Sequence, residues 1–283
     1  MKSIKYFIQF LIISTLFFLF KVLGLKLSSK LSKTLFGLVG PFFRSRQIIY
    51  ENILRAFPNL DKDEINKISK TMWENYGRIL SEYIFLNEFR LKDKIEIRGQ
   101  EILDKIKRNN ERVIFVSGHF NNFELMAMHI EKSGINLAAV YRPLNNIFLN
   151  FLMEKIRKKY ICKNQIKKGL SGTRELIKCF KNNISVALMI DQRVSQGIKS
   201  NFFGQAALTT TIPAQFVKKY NCTIVPVYIE RKNNINFKIT IHKPLEYKKD
   251  DTIENITLKL NILLEKMIRE NPDQWIWSHN RWK

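Results

Sequence analysis

The chain has 283 residues, with 48 lysines and arginines against 25 aspartates and glutamates, for a net charge of +23. That length holds a full core in one or two domains. The charge admits three kinds of partner, a nucleic acid, an anionic membrane surface or an acidic carrier or substrate, although a general richness in Lys, Ile and Asn accounts for part of it. Cys162, Cys179 and Cys222 are widely spaced with no C-x-x-C pair, which excludes a zinc ribbon or redox motif and fits reduced cytosolic thiols. His119, His129, His242 and His279 are too scattered for a metal cage.

Tyr6 to Phe20 carries no charge, and extension to Leu25 adds only Lys21. At about 1.5 Å per helical residue the extended stretch reaches the ~30 Å of a bilayer core, and a lysine near a helix end can stretch its ammonium to the interface. Residues 1–27 are therefore expected to be a retained membrane anchor. A cleaved signal peptide is the rival, but Gly24-Leu25-Lys26-Leu27 offers no small-residue cleavage site. The first acidic residue is Glu51, and Lys26, Lys30, Lys33, Arg44 and Arg46 follow the apolar stretch. Positive charge on that flank puts the body of the protein in the cytoplasm, and a basic, apolar segment beside an anchor suits an anionic bilayer surface.

Residues 28–95 read as a helical lead-in. Ile48, Ile49, Ile53, Leu54 and Phe57 recur at helical spacing, and Pro58 ends that helix. Asp61 is an expected N-cap, with Glu64 completing a capping box. From residue 96 to 283 the pattern alternates. Val113–Val116, Leu137–Tyr141, Val186–Ile190, Ile224–Tyr228 and Phe237–Ile241 suit buried strands. Helical stretches at Asn122–Lys132, Ile147–Lys159, Thr173–Lys181, Pro213–Lys219 and Ile253–Ile268 separate several of them. The expected fold is α/β, with a largely parallel central sheet flanked by helices.

Parallel strands end on one edge, where ligands bind. The first strand ends at Gly118-His119, the second at Tyr141-Arg142-Pro143 and the third at Asp191-Gln192-Arg193, so a base, a cation and a carboxylate are expected at one rim. His119 suits a general base, and Glu124, five positions on, is placed to hold its second nitrogen. A helix-capping histidine beside a solvated glutamate is the plainer reading of the same spacing. No G-x-S-x-G elbow accompanies it, which suggests direct attack by a substrate hydroxyl on an activated acyl group. Arg142 would then stabilise an oxyanion or bind an anionic substrate, or be an ordinary surface ion pair. Asp191 would orient the acceptor or Arg142, or cap the following loop.

The H-x-x-x-x-[D/E] turn, Tyr141 to Asn146, Asp191-Gln192, Asn201-Phe202-Phe203-Gly204 and Thr209–Pro213 occur in an order that resembles the lipid A late acyltransferase family of lauroyl/myristoyl type. Asn52-x-x-x-x-Phe57-Pro58, Trp73-x-x-x-Gly77-x-x-x-x-Glu82 and Trp275-x-Trp277-x-His279-x-Arg281 extend the likeness over nearly the whole chain. The resemblance implies a glycerolipid-acyltransferase-like fold and transfer of a fatty acyl chain from acyl carrier protein to a hydroxyl of a Kdo-bearing lipid A precursor, an anionic glycolipid, at the bacterial inner membrane. It implies His119, Glu124, Arg142 and Asp191 as the catalytic set, with Asn121, Asn122, Gln192, Arg193, Phe202, Phe203 and Gly204 as substrate-binding positions. Phe120 and Phe123 are further candidates for an acyl tunnel. No cofactor or metal is implied. A glycerol-phosphate acyltransferase is disfavoured, because no Phe-Pro-Glu-Gly-Thr-Arg block is present. An acyl-CoA-dependent enzyme acting on another glycolipid, such as a phosphatidylinositol mannoside, remains open. A nucleic-acid-binding protein would need a zinc finger, basic zipper or RNP-like motif, and none occurs.

Overall fold

The computed structural model describes residues 2–283. The first helix, α1, spans Lys2–Val39, and its backbone leaves the helical region at Gly24, where φ is 75°. With the short 3-10 turn Gly40–Phe42 that follows, it makes the one described segment long and apolar enough to cross a membrane, Ser3–Phe42. Helices α2 (Arg46–Ala56), α3 (Lys62–Glu82) and α4 (Leu86–Leu91) complete the helical lead-in. The expected capping box at α3 is present, with Asp61 accepting from the Glu64 amide at 2.8 Å and Glu64 accepting from the Asp61 amide at 3.0 Å.

The C-terminal half of α1 lies against α3 at close range. A Cβ on Gly77 would fall 2.1 Å from the Ser32 carbonyl oxygen, so only glycine admits this helix crossing.

The rest of the chain alternates: β1 (Ile95–Arg98), α5 (Gln100–Arg108), β2 (Val113–Ser117), α6 (Glu124–Lys132), β3 (Leu137–Tyr141), α7 (Ile147–Tyr160), β4 (Asn164–Lys167), α8 (Leu170–Lys181), β5 (Ser185–Met189), β6 (Ile198–Phe202), β7 (Gln205–Thr209), α9 (Ile212–Tyr220), β8 (Thr223–Asn233), β9 (Asn236–Ile241) and α10 (Ile253–Glu270). Seven strands form one sheet in the order β1-β9-β8-β2-β5-β3-β4, and β6 and β7 pair separately. Strands β8, β2, β5, β3 and β4 are mutually parallel. Strand β9 turns back antiparallel on β8 and takes β1 parallel to itself.

The α/β fold with a mostly parallel sheet matches the expectation. All five expected strands form, and each expected helix forms within three residues of its anticipated start. β2 is buried on both faces throughout, as its unbroken apolar run requires of a central parallel strand. Four strands were not anticipated. β1 and β4 hold the sheet edges and are short and polar, while β6 and β7 form a hairpin whose exposed positions carry Lys199, Asn201, Gln205 and Ala206. None presents the apolar run that marks a buried strand.

Candidate active site

The carboxyl ends of β2, β3 and β5 open on one rim, because these strands run parallel in register. Gly118 turns the chain off β2. A Cβ there would meet the Phe120 ring at 2.8 Å and Asp191 Oδ2 at 3.2 Å, so the missing side chain lets His119 settle against Asp191. The contact is two-pronged. Asp191 Oδ2 accepts from the His119 backbone amide at 2.8 Å, and Asp191 Oδ1 lies 2.8 Å from His119 Nδ1. Trp275 Nε1 donates to Oδ2 at 2.9 Å.

Asp191 is fully buried. Burial alone would raise its pKa, but the His119 charge, its two hydrogen bonds and the Trp275 donor outweigh that and hold it at about 2. An ionised, buried acceptor at Nδ1 orients the ring so that Nε2 is left for chemistry. The His119 side chain is 21% exposed, and Nε2 has no hydrogen-bond partner among the described residues.

The expected partnership of His119 with Glu124 does not form. Glu124 opens α6 and turns to Arg157 of α7, whose Nε donates to Glu124 Oε1 at 2.8 Å and whose Nη2 donates to the same oxygen. Arg157 also lies over the rings of Tyr83 and Tyr141. Burial tends to lower the arginine's pKa, but the Glu124 charge overrides this and raises it. The side chain five residues on is thus claimed by a cation arriving from another helix, while the His119 turn faces the end of β5.

His119 opens into a cavity of about 930 Å³. Its lining includes the cations Arg44, Arg142, Arg157, Lys168, Arg193 and Lys283, while Glu124 is the single acidic residue in the described lining. Apolar side chains cover another part of the wall, among them Phe123, Ala127, Val140, Leu188, Met189 and Ile276. Ala139 and Ala187 face one another in register on β3 and β5 and both line the cavity. Two small residues side by side on the sheet leave room that larger ones would fill. Arg142 is exposed and has no ion-pair partner among the described residues. Burial, then Arg142, lowers the pKa of Lys168.

Of the anticipated substrate-binding positions, Gln192 and Arg193 line the cavity. Five other anticipated contact positions lie elsewhere. Asn121 is buried, its amide bridging to Gln274 at 2.8 Å while its oxygen accepts from Arg231 at 2.9 Å. Asn122 is buried and donates to Glu82 at 3.1 Å. Both belong to a buried brace beneath the His119 turn, in which Glu82 also pairs with Arg231 and accepts from Ser29 of α1. Phe202 is fully buried between Trp275 and Trp282. Phe203 packs on Phe57, and Gly204 turns the β6–β7 hairpin at φ 75°. Their residue types are right for packing and turning, and the hairpin carries them off the rim. Phe120 likewise packs on Tyr228 and not in the cavity.

Sequence reasoning left Trp275, His279 and Arg157 without roles. His279 Nε2 accepts from the Arg193 amide at 3.1 Å, and the ring lines the cavity. Its backbone is held by Asn52, which donates to the Trp277 and His279 carbonyls at 2.9 and 3.0 Å. The tryptophan-rich end of the chain was the signal available for two of them. Arg157 carried none, since it sits in an ordinary basic helix end. Among the described residues no cluster of three or more His, Cys, Asp or Glu side chains could hold a metal ion.

The carboxyl edge of the mostly parallel α/β sheet thus carries a histidine–carboxylate pair at the wall of a cation-rimmed, partly apolar cavity. The chain belongs to the bacterial lipid A biosynthesis acyltransferase family, whose model matches residues 1–283, and is an acyltransferase. It is 25% identical over 251 residues to the lipid A biosynthesis lauroyltransferase of Escherichia coli (strain K12), covering 85% of this chain and 79% of the relative. The palmitoleoyltransferase of the same strain is 23% identical over 252 residues, covering 86% and 80%. The myristoyltransferase is 21% identical over 249 residues, covering 85% and 75%.

Proposed function

We propose that this enzyme moves a fatty acyl chain from the thioester of acyl carrier protein to a hydroxyl of a Kdo-linked lipid A precursor, with His119 as general base. The observation that carries the proposal is the His119–Asp191 pair at the wall of the cavity. In the reaction, His119 Nε2 takes the proton of the acceptor hydroxyl as its oxygen bonds to the thioester carbon. The carbonyl electron pair moves to oxygen. When it returns, the C–S bond breaks, and the departing thiolate takes the proton from the imidazolium. Asp191 balances the imidazolium charge throughout. General-base assistance of this type contributes roughly 10²–10⁴-fold in rate.

The remaining lining fits the two substrates. The apolar wall, including the Ala139–Ala187 floor, suits an acyl chain. The cations Arg44, Arg142, Lys168 and Arg193 suit phosphate and carboxylate groups of a glycolipid or carrier, and Arg142 stabilises the oxyanion. Glu124 serves by fixing Arg157 in the wall. Residues 1–27 act as the anchor, with residues 28–283 forming the acyltransferase domain on the cytoplasmic side of the inner membrane.

The test is purified enzyme with acyl carrier protein or CoA thioesters and a Kdo-bearing acceptor. His119→Ala should abolish transfer while membrane attachment and the circular dichroism of the fold stay near wild type, with a lowered unfolding temperature because the buried Asp191 loses its partner, and near-normal turnover would remove the base assignment. Preference for the CoA thioester would reassign the donor and leave the chemistry in place.

A further inference from the structure

Helix α7 has no fully buried residue along its length: Leu152, Met153, Ile156 and Tyr160 pack partly buried against the core, and its outer face is left open. Its beginning is apolar and bare: Ile147 is 62% exposed and Phe151, one turn on and on the same face, 73%. Its far half carries Lys155, Arg157, Lys158 and Lys159, against the single acid Glu154.

This helix is tied to the apolar end of α1. Asn146 caps α7 by accepting from the Phe148 and Leu149 amides at 3.1 and 3.2 Å. The same side chain donates to the Tyr6 carbonyl at 2.8 Å and to Gln9 at 3.3 Å. The Phe148 ring lies 5.6 Å from that of Phe7 and 5.9 Å from that of Phe10. The outward side of α1 next to this junction shows Ile4, Phe7, Ile8 and Leu11, all exposed. The bare start of α7 therefore continues the apolar face of α1, and its basic end borders the cavity through Arg157.

We propose that the first half of α7 is a second membrane-seated element, immersed beside α1 in an anionic bilayer surface, with its basic half at headgroup level. The inference rests on α1 being the membrane anchor. The occupant is a bilayer because the apolar-to-basic change along α7 follows the change from acyl region to anionic headgroups, over about 20 Å of helix. The helix abuts a segment already suited to lipid. Seated this way, α7 brings the cavity mouth to the plane where a membrane-embedded acceptor presents its polar head.

The test uses the full chain in vesicles of phosphatidylethanolamine and phosphatidylglycerol. Leu11→Cys, Phe151→Cys and Lys158→Cys, each in a Cys179→Ser background whose remaining thiols Cys162 and Cys222 are buried, carry an environment-sensitive fluorophore. The Leu11 and Phe151 labels should shift to the blue and be quenched by chain-labelled lipid, and the Lys158 label by headgroup-labelled lipid. A Phe151 label in water beside an immersed Leu11 label would overturn the seat and keep α1 as anchor. An immersed Phe151 label on a protein that transfers no acyl group would count against the proposed reaction and leave the seat standing. In a second arm, Ile147→Asp/Phe151→Asp should stay membrane-bound and as active as wild type on detergent-dispersed acceptor. Its turnover of vesicle-embedded acceptor should fall by about tenfold, and unchanged vesicle turnover would overturn the proposal.

Discussion

Asp191 Oδ1 lies 2.8 Å from His119 Nδ1 although the two residues stand 72 positions apart. Parallel neighbours β2 and β5 make the meeting, since Ser117 and Met189 are register partners just before the two strands release their chains. The pairing makes Asp191→Asn the informative conservative change. The amide keeps the size but supports the imidazolium no longer and disturbs the tautomer of His119. We expect kcat to fall about 10²–10⁴-fold with little change in KM, measured by steady-state transfer.

The same carboxyl makes stability sensitive to acid. Its folded pKa of about 2 lies below the ordinary 3.8. Its contribution is therefore fully present above about pH 4 and lost as pH falls through about 2, a change of about 2 kcal/mol. Denaturant unfolding of solubilised enzyme between pH 5 and pH 2 should show this loss in the wild type, and a loss smaller by about that amount in Asp191→Asn.

Trp275→Phe deletes the donor to Asp191 Oδ2 and keeps most of the ring packing. We expect a stability loss of about 1–2 kcal/mol and a reduction in kcat that is smaller than for Asp191→Asn. A thermal shift paired with turnover measurements checks both.

Glu124→Gln strands the Arg157 guanidinium in the cavity wall and should cost about 2–3 kcal/mol. Adding Arg157→Met should return part of that stability, because no uncompensated charge remains. A double-mutant cycle on unfolding free energies reads the coupling. Full additivity would mean that the pair does not act as a unit.

Gly77→Ala should loosen α1 from α3, because the new methyl would meet the Ser32 carbonyl at 2.1 Å. We expect a lowered unfolding temperature and faster proteolysis within α1, with the parallel sheet intact by circular dichroism.

By itself the sequence determined the parts whose signals are local. The uncharged run before Lys21, the Asp61–Glu64 cap and the strands at Val113, Leu137, Val186 and Ile224 follow from hydrophobic period and side-chain chemistry within a few residues. The order of those strands with their helices implied a parallel sheet, and so implied that His119, Arg142 and Asp191 share a rim. Which of them touch was decided only by the tertiary structure. Spacing along the chain favoured Glu124 for His119, yet Arg157 arrives from α7 to take Glu124, and Asp191 arrives from β5 to take His119. Asn121 and Asn122 have the chemistry of ligand-binding amides, but Gln274, Arg231 and Glu82 occupy them. A buried polar group must be paired with whatever neighbour the packing supplies, and that neighbour is set by distances through space that the order of residues does not carry.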